Sequence, residues 1–389
     1  MTDVRSRTTL RLAAGAVCVA LLALPVPAAQ AADAARTADD HPATRAALET
    51  FQAKAGPGAA VHAGDGTDAW TLSAGTGTVG ADRPLQADEH IRAGSQTKTF
   101  TAAVILQLAD EGEVNLDSPI EDYLPGLVTG NGYDGTRITV RHLLQHTGGV
   151  AAFAPDPLIN APAPNPDGTY DPAALVRMGL QLPPVAAPGE DFTYSNTNYL
   201  ILDLLIEQVT GTPVHTAAME RIVEPLGLTR TVFPAPGDRV LPAPAVNGYH
   251  GIRVGGLYVW VPALSFDPSL FGGSGALIST LEDLTAFYRA LTAGEVLSPA
   301  ALEEMRNVQV VNDAGSGYGL GLMRLDLSCG GVAWGHTGGI LGYQTATLVT
   351  GDGRHASAVT NALFQVNRPD AELRTLLDTA LCEDQPQDS

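Results

Sequence analysis

Lysine is almost absent from this chain. Of 389 residues only Lys54 and Lys98 are lysine, against 20 arginines and 42 acidic residues, for a formal net charge of -20. So acidic a balance excludes nucleic acid and an anionic membrane surface as partners, because both attract clustered Lys and Arg. Long apolar runs are scarce as well. The longest, Leu12 to Leu24, is short of the roughly 20 residues a membrane-spanning helix needs. No phosphate-cradling or dinucleotide fingerprint occurs. Gly272-Gly273-Ser274-Gly275-Ala276 misses the G-x-S-x-G elbow at its last position. His142 and His146 stand four apart as in a zinc helix, but Leu143 and Gln145 leave out the glutamate of H-E-x-x-H. The sequence therefore calls for no metal and no cofactor.

What is present begins with an address. Arg5, Arg7 and Arg11 precede the apolar run, and Ala29-Gln30-Ala31 follows it as an A-x-A cleavage site, the pattern of a secretory signal peptide over 1–31. The expected mature protein is secreted, without a membrane anchor, and carries 19 basic and 41 acidic residues. Two of the three cysteines then remain, Cys329 and Cys382. In an oxidising compartment such a pair reads as a disulfide, with two buried thiols as the alternative.

Residues 32–44 read as a flexible leader. Short strands are predicted around Gly64-Asp65-Gly66 and a strong helix over Phe100 to Leu108. A capped helix is expected over 139–144, a buried one over 198–209, and an amphipathic one over 280–291. Residues 151–190 and 234–271 are rich in Pro, Ala or Gly and read as loop. Strands return at 332–334, 345–349 and 355–360, and a last helix runs from about 369 to 382. Strands at both ends imply an α+β fold: an antiparallel sheet flanked by helices and built from both chain ends. That sheet domain takes 45–117 and 272–384, and an all-helical domain is inserted over 118–271.

Ser95-Gln96-Thr97-Lys98 opens the strong helix. Residues three apart on a helix share a face, so the Lys98 amine can reach the Ser95 hydroxyl and act as its base. With 14 serines and two lysines, about 0.07 such spacings are expected by chance. Tyr194-Ser195-Asn196 follows a hundred residues later. Its tyrosine is suited to shuttling a proton and its asparagine to holding an amide, with a helix cap as the plainer reading. The string His-Thr-Gly-Gly occurs twice, at 146–149 and 336–339. The first ends a helix and reads as a structural stop. The second lies at a strand end, where small residues let a substrate pair with the backbone.

In this order the three elements S-x-x-K, Y-x-N and H-T-G resemble the serine β-lactamase and penicillin-binding superfamily. The branch is the one shared by class C β-lactamases and secreted D-alanyl-D-alanine carboxypeptidases. Arg92 to Ser95, Leu108 to Asn115, Leu143 to Gly149, Tyr194 to Tyr199 and Gly317 to Leu322 carry the likeness further, over roughly 45–382. The resemblance implies that Ser95, Lys98 and Tyr194 are catalytic. It implies that Asn196, His336, Thr337, Gly338 and Gly339 bind substrate, with the backbone N–H groups of Ser95 and Gly339 as the oxyanion hole. The implied substrate is a peptidoglycan-type D-Ala-D-Ala peptide or a related acyl compound, with β-lactams as acylating ligands and the protein a monomer. Esterases, D-aminopeptidases and β-lactamases share the scaffold. The carboxypeptidases carry a second hydroxyl where this chain has Gly339, and a nearby arginine whose place falls near Met323-Arg324-Leu325.

Overall fold

In the computed structural model, residues 41–66, 68–153, 162–254, 257–310, 316–364 and 368–385 are described. The expected signal peptide over 1–31 and most of the expected leader over 32–44 lie outside them. The first helix, α1, runs Pro42–Ala55. It therefore takes over the end of the expected leader, for two reasons. Pro42 occupies the first turn, where its missing N–H costs nothing. Glu383 from the far end of the chain accepts from the Ala43 and Thr44 backbone N–H groups and from the Thr44 hydroxyl, at 2.7, 3.1 and 2.6 Å.

Eight strands make one antiparallel sheet: β1 (Gly58–Asp65), β2 (Asp68–Gly75), β3 (Gln309–Val310), β4 (Ser316–Tyr318), β5 (Met323–Asp326), β6 (Val332–Ile340), β7 (Tyr343–Thr350) and β8 (His355–Thr360). Their spatial order is β2-β1-β8-β7-β6-β5-β4-β3. The two chain ends thus meet at β1 and β8, as the strand pattern predicts. Side chains alternate across this sheet. Ala59, Val61, Ala346, Leu348, Ala356 and Ala358 face α1 and the last helix, α7 (Asp370–Cys382, labelled in chain order after those below), through Leu48, Phe51, Leu373, Leu376 and Leu377. Ala60, Val349 and Val359 face a larger core on the other side. Cys329 and Cys382 are joined as a disulfide, which ties the turn after β5 to the end of α7.

The larger core is built around α2 (Thr97–Asp110) and α5 (Asn196–Thr210). Helix α2 buries eleven of its fourteen residues, so its apolar pattern is nearly all-round, as expected for a central helix. α3 (Val140–Leu144) is closed by a capping box in which Thr139 and His142 satisfy each other's backbone N–H. α4 (Pro172–Gly179) forms inside a stretch read as loop. Its proline sits at the helix start, Asp171 caps it by accepting from Ala173 at 2.9 Å, and Leu175 and Val176 are fully buried. α6 (Leu281–Ala293) starts at the Thr280 cap and ends at Gly294 in the left-handed conformation, matching the predicted span. Among the described residues, 118–271 add no strand to the main sheet. They form helices, long loops and two small hairpins, Thr129–Gly130 with Tyr133–Asp134 and Tyr249–Val254 with Leu257–Pro262, where the sequence implies an all-helical domain. The second lies in Pro- and Gly-rich sequence that carries no strand signal beyond Tyr258 to Val261.

Candidate active site

Ser95 sits in a single 3-10 turn, Gly94–Gln96, that runs directly into α2. The turn needs glycine at position 94. Its φ is +59°, and an added Cβ would stand 2.9 Å from the Gly339 backbone nitrogen. β6 therefore presses its 338–339 segment against the turn that holds Ser95. Gly338 is equally constrained, since a Cβ there would come within 2.0 Å of the Ala93 carbonyl. Gln96 and Thr345 stitch the contact, with Gln96 Nε2 donating to Thr345 Oγ1 at 2.8 Å and Thr345 Oγ1 donating to Ala93 O at 2.9 Å.

Lys98 is fully buried, which is costly for a charged amine. Its Nζ donates to Ser95 Oγ at 3.0 Å, Asn196 Oδ1 at 2.8 Å and the Ser274 carbonyl at 2.7 Å. All three acceptors are neutral, and burial holds the amine well below its ordinary range. The Tyr194 ring lies 4.9 Å from Nζ. Burial pushes the Tyr194 phenol up, partly offset by its hydrogen bond to Ser95. Ser95 thus has two proton-handling neighbours, a depressed lysine and a protonated tyrosine. The structure brings together Ser95, Lys98, Tyr194 and Asn196, two of them from α2 and its leading turn and two from the entry to α5.

These groups open on a cavity of about 660 Å³ whose walls include Ser95, Tyr194, Asn196, Thr337, Gly338 and Gly339. His336 stands behind that wall rather than in it. It is 1% exposed, because alternation along β6 turns it away from the side on which Thr337 faces the cavity. Its Nδ1 donates to the Thr337 carbonyl at 2.5 Å, so Nε2 is the acceptor for the Tyr318 hydroxyl at 2.9 Å. Burial lowers its pKa to about 3. His336 is therefore a neutral support of Tyr318.

The first His-Thr-Gly-Gly string is more than a stop. His146 is fully buried with φ +60°, and its Nδ1 faces the Ser195 backbone N–H at 3.3 Å and Asn198 Nδ2 at 2.9 Å. Its ring lies 4.4 Å from that of Tyr194, so it braces the tyrosine from behind. His142 serves the α3 capping box. Sequence reasoning also missed Ser274, whose carbonyl holds Lys98. It missed Phe153, Phe192, Tyr318, Met323, Arg368 and Asp370 on the cavity wall as well. Phe153, Phe192 and Arg368 lie outside helices and strands, and Tyr318, Met323 and Asp370 stand at the ends of β4, β5 and α7, so none carries a periodic signal that could have flagged it. Arg324, the nearest arginine to the expected carboxylate clamp, pairs with Asp326 at 2.7 Å, while its neighbour Met323 faces the cavity.

The beta-lactamase family pattern matches residues 44–380. The chain is 28% identical over 326 residues to penicillin-binding protein 4 of Amycolatopsis lactamdurans, covering 78% of this chain and 81% of that protein. It is 30% identical over 312 residues to an unguisins hydrolase of Aspergillus campestris, covering 74% of this chain and spanning 55% of that longer protein. Among solved structures, a D-stereospecific amidohydrolase from Streptomyces sp. superimposes with a TM-score of 0.78 at 39% identity, over 88% of this chain and 99% of that one. The D-amino acid amidase of Ochrobactrum anthropi SV3 shares the fold at 22% identity and a TM-score of 0.72, over 87% of this chain and 98% of that one.

Proposed function

Since the chain belongs to the beta-lactamase family and is a serine hydrolase of it, we propose that it hydrolyses amides of D-amino acids through an acyl-enzyme on Ser95. The observation that carries this reading is Lys98: a buried amine with no anionic partner among its hydrogen bonds, 3.0 Å from Ser95 Oγ. In its neutral form Lys98 keeps two N–H donors, for Asn196 Oδ1 and the Ser274 carbonyl, and turns its lone pair to Ser95 Oγ 3.0 Å away, so it takes the hydroxyl proton as Oγ attacks the amide carbon. The oxyanion gathers between the Ser95 and Gly339 N–H groups. Tyr194, bonded to Ser95, passes a proton to the departing nitrogen as the C–N bond breaks, and Lys98 restores the phenol. Water then attacks the ester along the same proton path and frees the D-amino acid. Asn196 gives its Oδ1 to Lys98, leaving its N–H groups for the substrate carbonyl.

The preference for D-amides is supported by the likeness to the Streptomyces amidohydrolase over nearly the whole of that protein. A second reading, a D-alanyl-D-alanine carboxypeptidase acylated by β-lactams, needs a cation for the substrate's terminal carboxylate. Arg324 is committed to Asp326, so that reading rests on Arg368 at the cavity rim. We further propose export after cleavage at Ala31, a proposal that the Cys329–Cys382 disulfide supports.

The test is hydrolysis of D-alaninamide and L-alaninamide by the wild type and Ser95→Ala. The D-amide should be favoured, and Ser95→Ala should lose at least about 10³-fold in kcat. Equal use of both enantiomers, or an active Ser95→Ala, would overturn the reading.

A further inference from the structure

None of the proton steps at Ser95 uses Asp203, a carboxyl buried in the middle of α5 and only 6% exposed. An ionisable group is costly in such a place. Burial raises its pKa to about 7, opposed by a hydrogen bond from the Gly273 N–H and reinforced by Glu207. That N–H donates to Asp203 Oδ2 at 3.0 Å. It belongs to a single 3-10 turn, Gly272–Ser274, whose last residue gives Lys98 its carbonyl at 2.7 Å.

The residue before that carbonyl is held from two helices. α5 takes the Gly273 N–H through Asp203, and α2 takes the Gly273 carbonyl through Thr101 Oγ1, which donates at 2.8 Å. Further along, the Leu277 N–H donates to Thr97 Oγ1 at 3.1 Å. Two glycines permit the close approach to α5. Gly272 has φ +40°, and a Cβ there would stand 2.3 Å from Asp203 Oδ2. A Cβ on Gly273 would stand 3.3 Å from the Tyr199 carbonyl oxygen.

Asp203 follows Asn196 by two helical turns, so both lie on one face of α5. Asn196 offers its Oδ1 to Lys98 directly, at 2.8 Å, and Asp203 holds the backbone that offers the other acceptor. A neutral amine has two N–H donors and one lone pair. Once both donors are engaged, the lone pair has a single direction, toward Ser95 Oγ. One helix face therefore aims the base.

Resting on the acyl-enzyme reading above, we propose that Asp203 is a positioning residue for the acylation of Ser95. By accepting from Gly273 it fixes the Ser274 carbonyl, and through that carbonyl the direction of the Lys98 lone pair. The contact requires an acceptor oxygen and not a charge.

The test compares Asp203→Asn, which keeps an acceptor of the same size, with Asp203→Leu, which fills the space without one. Circular dichroism melts establish that each variant is folded at the assay temperature. Turnover is followed on D-alaninamide, and acylation by release of p-nitrophenol from p-nitrophenyl acetate, an ester that does not depend on the D-amide reading. Asp203→Leu should lose about 10- to 100-fold in kcat for the amide and in the acylation rate with the ester. Its KM for the amide should stay within about threefold, because Asp203 is not part of the cavity wall. Asp203→Asn should keep both rates within about threefold of wild type. Where Asp203→Leu does not fold, Asp203→Ala removes the acceptor without added bulk and should show the same loss. A folded acceptor-less variant with wild-type rates, or an Asp203→Asn that falls as far as Asp203→Leu, would overturn the proposal. A wild type acylated by the ester that leaves D-alaninamide intact would instead overturn the D-amide reading, with Asp203 judged on the ester alone.

Discussion

The same four residues, His-Thr-Gly-Gly, stand at 146–149 and 336–339 and do opposite things with their backbone. The first string leaves α3, takes a left-handed turn at His146, and runs beneath the Tyr194 segment. The second lies inside β6, fully paired with β7 from His336↔Thr347 to Gly339↔Gln344. Yet both histidines finish buried and uncharged near the same tyrosine, with ring centroids 4.4 and 6.3 Å from Tyr194. Burial is the first cause in each, and the nearby Lys98 amine adds to it. The first string braces the catalytic phenol from the helical side, and the second holds Tyr318, which meets Tyr194 edge-on at 6.1 Å, from the sheet.

The sharpest way to break the pair is Gly338→Ala. Its Cβ would sit 2.0 Å from the Ala93 carbonyl and 2.4 Å from Thr345 Oγ1, the atoms that lock β6 to the serine turn. Backbone must move, and a displacement of about 1 Å at a reacting group costs on the order of 10²-fold. Acylation of Ser95 by D-alaninamide, followed by rapid-quench mass measurement, should slow by at least that factor. A rate within threefold of wild type would mean that β6 does not set the serine's position.

His146→Leu comes next. It removes the acceptor facing the Ser195 N–H and Asn198, so the residue after Tyr194 loses its anchor. We expect kcat to fall roughly 10- to 100-fold with KM little changed, since the phenol acts on the proton and not on binding. His146→Asn should recover part of the loss. Asparagine tolerates a positive φ and keeps an acceptor. Equal losses in both variants would assign His146 a packing role alone.

His336 enters through stability. Its folded pKa is about 3 against an unfolded value near 6.5. Between those values the unfolded chain binds the extra proton, so stability is complete above about pH 6.5 and falls as pH drops toward 3. The site contributes a slope of about 1.4 kcal/mol per pH unit across that window. His336→Gln should flatten the urea-unfolding profile there by about that amount, with the wild-type curve as reference.

Why one string was legible and the other was not follows from what each depends on. The β6 string follows the strand signal at 332–334, so a strand leading into it could be read, although the strand runs on through the string to Ile340. S-x-x-K was readable because its function is local: three residues of helix place Lys98 against Ser95. His146 works only once α5 packs over it, a contact 52 residues away in sequence that no spacing encodes. The same holds for Met323, whose place on the cavity wall is set by which strand lies opposite, and for α4, where proline obscured a helix that burial of Leu175 and Val176 sustains.

The smallest effects are expected at the two glycines that swap roles between the strings. Gly149 has φ +70° and faces the Ala186 carbonyl, 2.1 Å from an added Cβ, so in the first string the second glycine is the constrained one. Its neighbour Gly148 meets only an Ile138 methyl at 3.2 Å, and Gly339 meets the Arg368 guanidinium at 3.0 Å. A methyl against another methyl or against the far end of a half-exposed side chain can be relieved by a rotamer change. Neither residue needs a left-handed backbone. Gly148→Ala and Gly339→Ala should therefore each leave kcat/KM for D-alaninamide within about threefold, and each gains up to about 1 kcal/mol by restricting the unfolded chain. The two differ in one respect that sharpens the comparison. Gly339→Ala displaces Arg368, so it should alter turnover of D-alanyl-D-phenylalanine if that guanidinium contacts the substrate, whereas Gly148→Ala should alter neither substrate. Parallel kcat/KM measurements on the four variants Gly148→Ala, Gly149→Ala, Gly338→Ala and Gly339→Ala would test the crossed pattern. A result in which both first glycines, or both second ones, behave alike would show that the sequence string, and not its backbone setting, governs the site.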